Sequence, residues 1–234
     1  MTVGLARKPG MTRIDLAQSN VNIVKSVIPE ITRYAPDAIY VIVSNPVDII
    51  TYTWIRRSGI PESRIIGSGT MLDSTRLRTC IAEKAGLSAK NVHGFVLGEH
   101  GDTSVVPWSL LTLAGMPIDA WQNAFGPIDL NAIYEEMQVS GAQVIQRKGA
   151  TYYAIALSVR YICDVILRDT HSVLTLSTMM HGQYGMEDVC LSLPFIVGAS
   201  GIIRALEPPL AAEEQAKLIQ SAEALKTVLA SLEI

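Results

Sequence analysis

Two rhythms of apolar positions run along this chain, and the switches between them mark its elements. Val24, Val27, Ile28 and Ile31 recur at three- and four-residue spacing and predict a helix over 19–34, which Pro29 is expected to bend or shorten. The stretch 38–43, AIYVIV, is continuously apolar and rich in β-branched side chains, as in a strand buried on both faces. A helix over 46–58 closes at Gly59, a strand follows at 64–66, and a helix over 70–85 stops at Gly86. Strand, helix, strand, helix is the order of a doubly wound sheet.

Past Gly86 the rhythm changes. Residues 92–97 and 105–113 read as strands on either side of the polar stretch Gly98-Glu99-His100-Gly101-Asp102-Thr103-Ser104. Helices are predicted at 128–139 and at 142–167, the second carrying Thr151-Tyr152-Tyr153. Segments 172–179 and 189–197, separated by a polar turn with glycine, predict an antiparallel pair. After Pro208 and Pro209, Leu218, Ala222, Leu225, Leu229 and Leu232 mark an amphipathic helix. This half reads as α+β.

Composition removes several classes of function. The 234 residues, 49% hydrophobic and 18% charged, suffice for a substantial core in one or two domains. A net charge of -3 without a basic stripe gives nucleic acid binding no electrostatic support. Mean hydropathy is +0.28, yet the apolar runs fall far short of the roughly 18 residues a membrane span needs. Cys80, Cys163 and Cys190 lie in apolar segments without CxxC spacing, so buried free thiols in a reducing compartment, the cytoplasm, are expected. No charged region followed by an apolar stretch opens the chain, and no signal peptide is expected.

Candidate chemistry begins with His100, flanked by Gly98 and Gly101 at the mouth of a strand and suited by an ordinary pKa near ~6.5 to moving protons. Asp73 and Arg76, three apart, share one helix face, whereas Arg78 lies about 200° round from Arg76 and cannot serve the same pocket. Asn45 stands at a strand end, where ligands of open α/β sheets gather. The loop 1–13, with Gly4, Pro9, Gly10 and three basic residues, suits a lid over an anionic substrate. Each feature also has an ordinary alternative: a solvated turn histidine, a surface ion pair worth no more than ~1 kcal/mol, a solvated terminus. No HExxH and no second histidine at ligand spacing accompany His100, so no metal is expected.

Five separated motifs then agree in order and spacing: ARKPGMTR at 6–13, VSNPVD at 43–48, GSGTMLDSTRLR at 67–78, NVHGFVLGEHGDTS at 91–104 and KGATYY at 148–153. Together they resemble the L-lactate and malate dehydrogenase superfamily, and GEHGD and GSGT look most like a bacterial L-lactate dehydrogenase. The resemblance implies an α/β fold class, the carboxyl half of a Rossmann-type doubly wound sheet over 1–68, lid included, followed by an α+β substrate domain over 69–234. It implies NAD as hydride carrier, a small 2-oxo or 2-hydroxy acid as substrate, and a homotetramer. His100 matches the proton donor and acceptor, Asp73 the carboxylate that orients it, and Arg76 the guanidinium that grips the substrate carboxylate. Arg13 matches the lid residue that polarises the reacting carbonyl. Thr151 matches a residue flanking substrate and nicotinamide, and Val43, Ser44 and Asn45 match the cofactor-facing strand end. Arg78 and His93 match positions that bind a sugar bisphosphate effector, fructose 1,6-bisphosphate, in allosteric bacterial members.

In two places the chain departs from the lactate pattern. Arg7 occupies a lid position where lactate enzymes usually carry Gln and malate enzymes Arg, and an extra buried cation wants the second carboxylate of oxaloacetate. Malate dehydrogenase is therefore the alternative substrate assignment. No GxGxxG occurs, and Gly67-Ser68-Gly69 lacks the third glycine and the strand-to-helix context. The resemblance thus implies a pyrophosphate cradle upstream of Met1 in a longer protein, and a catalytically silent fragment with an exposed sheet edge is the other expectation.

Overall fold

Helix α1, Arg13–Tyr34, begins earlier than the apolar spacing suggests, because Thr12 and Asp15 close a capping box: Thr12 Oγ1 accepts the Asp15 N–H at 3.1 Å and Asp15 Oδ2 the Thr12 N–H at 3.0 Å. Pro29 does not end it. The computed structural model describes residues 1–5, 12–149 and 151–234. Strand β1, Tyr40–Ile42, leads into α2, Val47–Ser58, with Gly59 at φ 68° as its left-handed cap. Strand β2, Ile65–Gly67, leads into α3, Met71–Ala85, capped in the same way by Gly86 at φ 66°. These elements stand where the sequence predicts them, and β1 and β2 are parallel neighbours.

The next stretch differs from expectation. Only Val92–His93 (β3) and Thr112–Leu113 (β4) of the two predicted strands are strand, and β4 turns into β5, Met116–Pro117. Pro107 has no N–H to give a ladder, and the chain passes through a 3₁₀ turn at Trp108–Leu110 instead. In place of a continuous hairpin, Leu97 and Val105 exchange two 2.8 Å hydrogen bonds that pinch off the loop 98–104. A short helix the pattern did not reveal, α4 (Ile118–Phe125), follows.

The helix expected over 142–167 is instead two, α5 (Leu130–Lys148) and α6 (Tyr153–Leu167). Gly149, at φ 80°, makes the break, while Gly141, where the pattern suggested one, lies inside α5. The antiparallel pair is present as β6 (Ser172–His181) and β7 (Glu187–Gly198), extended by an unpredicted β8 (Gly201–Ala205), and α7 (Ala212–Ala230) ends the fold.

The main sheet runs β1-β2-β6-β7-β8, parallel at its first pair and antiparallel beyond, and β3, β4 and β5 form a small antiparallel sheet. The edge of β1 expected to be open is partly covered: Met1 accepts the Val43 N–H at 2.9 Å and its amino group donates to Val41 O. Trp54, Ile42, Ile65 and Leu193 centre one core between the main sheet and α1, α2 and α7, while Leu77, Val92, Leu113 and Ile133 centre a second around α3 and α5. Cys190 is buried as expected, whereas Cys80 and Cys163 on α3 and α6 are only half-buried; all three are free thiols.

Candidate active site

Three segments meet at the carboxyl ends of β1 and β2. Asp73 sits in the first turn of α3, where the helix dipole favours a carboxylate. Its Oδ2 lies 2.6 Å from His100 Nδ1 and its Oδ1 3.1 Å from Arg76 Nη1. A carboxylate only accepts, so Nδ1 carries the hydrogen and Nε2 remains for a substrate. The Asp73 side chain is 15% exposed, Arg76 19% and His100 30%. An ordinary surface ion pair would be far more open.

Burial alone would make His100 a weaker base, but the charge and hydrogen bond of Asp73, with the charge of Asp48 behind, outweigh burial and raise its pKa above 6.5. Asp73 shows the reverse balance: burial pushes it up, and the His100 and Arg76 charges and hydrogen bonds bring it below the usual carboxylate range. Both shifts favour the charged forms, imidazolium and carboxylate, over the neutral ones.

The loop carrying His100 is fastened from behind. Gly98 and Ser192 of β7 exchange two hydrogen bonds of 2.9 Å, and Ser221 of α7 accepts the Glu99 N–H at 3.0 Å while its hydroxyl lies 2.9 Å from that of Thr103. Ser74 accepts the Val96 N–H at 2.9 Å and lies 2.9 Å from the Thr175 hydroxyl of β6. Gly98 has φ 84°, and a Cβ there would lie 2.8 Å from Ser221 Oγ. Gly98→Ala is expected to cost at least ~1–2 kcal/mol, lowering the thermal midpoint by several degrees. Gly59→Ala, equally left-handed at φ 68° but open to solvent, is the control and should cost less. Equal midpoints for the two variants in thermal denaturation would refute this packing role.

A cavity of about 440 Å³ opens in front of His100. Val43 and Asn45 line it from β1, Ser68 and Gly69 from β2, Leu72, Asp73 and Arg76 from α3, Gln138 and Gly141 from α5, and Thr151 from the α5–α6 turn. Six of the residues singled out from sequence therefore share one chamber: Val43, Asn45, Asp73, Arg76, His100 and Thr151. Ser44 does not line it, its hydroxyl donating to Val3 O at 2.5 Å. Arg7 and the Arg13 side chain lie outside the described residues. Arg78 and His93 line a separate cavity of about 520 Å³, together with Lys90 and Tyr161, consistent with the opposite facing of Arg76 and Arg78.

Two buried polar positions beside the site escaped the sequence reading. Asn20, 1% exposed on α1, donates to Asn45 O at 2.7 Å and to Leu5 O at 3.1 Å, and accepts the Leu5 N–H at 2.6 Å. Asp48, 2% exposed, accepts the His100 N–H at 2.8 Å. Asp48 interrupts an apolar run and Asn20 sits among the buried helical positions Ala17, Val21 and Val24, which is the signal that could have drawn attention to them. Among the described residues, no group of three His, Cys, Asp or Glu could hold a metal ion, and no helix is long and apolar enough to cross a membrane.

A histidine oriented by a shielded carboxylate, beside an arginine in a cavity at strand ends, is an arrangement that can do acid–base chemistry on a small organic anion. Residues 1–67 match the family model for the NAD binding domain of lactate/malate dehydrogenase, and residues 70–233 match that for its alpha/beta C-terminal domain. L-lactate dehydrogenase 1 of Clostridium acetobutylicum is 44% identical over 99% of this chain and 75% of its own length, and L-lactate dehydrogenase of Acetivibrio thermocellus is 44% identical over 100% and 75%. The crystal structure of minor L-lactate dehydrogenase from Enterococcus mundtii in its ligands-bound form has a TM-score of 0.95 at 37% identity, covering 100% of this chain and 75% of that one. The chain belongs to the lactate/malate dehydrogenase family, and NAD is the cofactor of the domain its first 67 residues match.

Proposed function

We propose that this chain is an NAD-dependent L-2-hydroxy acid dehydrogenase that interconverts L-lactate and pyruvate in the cytoplasm. The observation that carries this reading is the double engagement of Asp73, which orients the His100 ring with one oxygen and braces Arg76 with the other. Arg76 holds the substrate carboxylate, its planar fork setting the orientation of the 2-oxo group as well as its charge. His100 gives the proton from Nε2 to the carbonyl oxygen during reduction and takes it back during oxidation. Arg13 polarises that carbonyl as charge gathers on its oxygen, and Thr151 flanks the carboxylate.

The chamber fits a nicotinamide. Val43 and Leu72 offer an apolar face, and Asn45 and Ser68 offer hydrogen-bonding groups for its amide, with Ser44 beside them on the same strand end. The bound cofactor supplies the hydride, which no side chain can.

Pyruvate is favoured over oxaloacetate by the named relatives, all L-lactate dehydrogenases, while Arg7 is the residue that favours oxaloacetate. Arg78, His93 and Lys90 in the second cavity suit a bisphosphate such as fructose 1,6-bisphosphate. Tyr153, Leu157 and Tyr161 expose an apolar stripe at four-residue spacing on α6, which favours assembly into a homotetramer. The test combines NADH fluorescence titration with turnover of each oxo acid, with and without the bisphosphate. Micromolar NADH binding, a kcat/KM for pyruvate about tenfold or more above that for oxaloacetate, and a lowered half-saturation with effector are expected. A preference for oxaloacetate would make the chain a malate dehydrogenase; absent NADH binding would make it a silent piece of one enzyme or the other; an unchanged half-saturation would remove the effector.

A further inference from the structure

A second carboxylate lies beneath the histidine loop and has no part in the reaction as described. Asp48 stands in the first turn of α2 and accepts the backbone N–H of His100 through Oδ2. Its Oδ1 is buried and has no hydrogen-bond partner among the described residues. Leaving a charged oxygen so is costly unless something else gains from the charge. The hydroxyl of Ser177 on β6 lies near without completing a hydrogen bond, and the buried thiol of Cys190 on β7 is also within electrostatic reach. On the loop itself Glu99 adds a like charge that disfavours ionised Asp48, and His100 the opposite charge that favours it. Across the imidazole, on α3, stand Asp73 and Arg76. Of these groups, only His100 both touches Asp48 and faces the reaction chamber.

We propose that Asp48 is a positioning residue for His100, fixing the histidine's backbone and, by its charge, helping Asp73 keep the ring protonated. The idea rests on His100 as the proton carrier. Its geometry differs from that of Asp73, because Asp48 contacts the main chain and acts on the ring through space. Burial pushes the Asp48 carboxyl up to about 6, with the Ser177 and His100 interactions holding it from going higher. Asp48 therefore changes charge well above the usual carboxylate range, and its charge and that of His100 each favour the other. Each proton that settles on Asp48 removes a negative charge that favours the imidazolium.

The substitution Asp48→Asn separates the two roles, since it keeps an oxygen for the His100 N–H and deletes the charge. The chain has four histidines, and His93, His171 and His181 are exposed, so their ring resonances serve as internal references in an NMR titration of the whole chain without substrate or NADH. In the parent protein the His100 ring should report two steps, one of them near the Asp48 titration. In Asp48→Asn a single step is expected, with the proton held about tenfold less tightly and the other three rings unmoved. A His100 titration identical in the parent and Asp48→Asn would overturn the proposal, because a purely structural acceptor would behave in that way. Should Asp48→Asn not fold, carbon-detected titration of the Asp48 carboxyl in the parent decides: titration near 6 in step with the ring supports the coupling, and an ordinary value near ~3.9 overturns it. Because no turnover is measured, a chain that fails to reduce pyruvate would count against the proposed function and leave the Asp48 coupling to stand or fall by the titration.

Discussion

His100→Gln is expected to slow pyruvate reduction by about 10²- to 10⁴-fold while leaving the KM for pyruvate within a few-fold. Glutamine can still donate to Asp73 from its amide, so Arg76 stays braced and the anion is still gripped. What it lacks is a nitrogen that can surrender a proton at neutral pH, and that loss is felt when the carbonyl oxygen becomes an alkoxide. A kcat near the parent value with a raised KM would show that His100 only binds substrate. The same variant reads the ion pair's part in stability. The folded pKa of His100 is raised, so the pair's contribution is fully present below the ordinary value of 6.5 and is lost as pH rises through the folded value. The gap in thermal midpoint between parent and His100→Gln should accordingly be wider at pH 6 than at pH 9.

Asp73→Asn is expected to be comparably damaging by another route, with a loss of roughly 10²- to 10⁴-fold in reduction. Asparagine offers one acceptor oxygen where the His100 and Arg76 donors each require one, and its amide group would face one of the two cations. With the Asp73 charge gone, burial becomes the dominant influence on His100, and its pKa moves below its present raised value. Reduction needs the protonated ring, so in a pH profile of kcat/KM for pyruvate the alkaline fall should begin at lower pH than in the parent. An unchanged inflection would mean that Asp73 does not set the histidine's proton affinity.

Where local chemistry decided the fold, the sequence could be read. Gly59 and Gly86 end their helices because each takes a left-handed conformation that other residues resist, and the unbroken apolar run around Val41 forms a strand, though one buried at Tyr40 and Ile42 and only half-buried at Val41 rather than buried on both faces. Where two local signals were equal, distant contacts chose. Gly141 and Gly149 are both glycines near a helix end, yet Gly141 stays helical, where a Cβ would lie 3.6 Å from an Arg76 nitrogen, and Gly149 breaks the helix. Thr12 and Asp15 were a readable cap that the apolar spacing alone did not weigh, and Pro107 was a readable interruption.

Within the site, helical spacing put Asp73 and Arg76 on one face, but nothing in the spacing brings His100 to them. That meeting depends on the Leu97 and Val105 neck and on Ser192 and Ser221, all far from α3 in sequence, and only the family motifs made it foreseeable. Asn20 and Asp48 remained hidden because a polar residue on a buried face does not reveal which backbone group it will satisfy.

The anchoring of the 98–104 loop by Ser192 and Ser221 has a consequence for biosynthesis. A ribosome releases His100, Asp73 and Arg76 more than a hundred residues before Ser221 of α7, so a growing polypeptide carries all three long before it can hold them in register. The loop that carries His100 is therefore fully fastened only after the segment bearing Ser221 has been made.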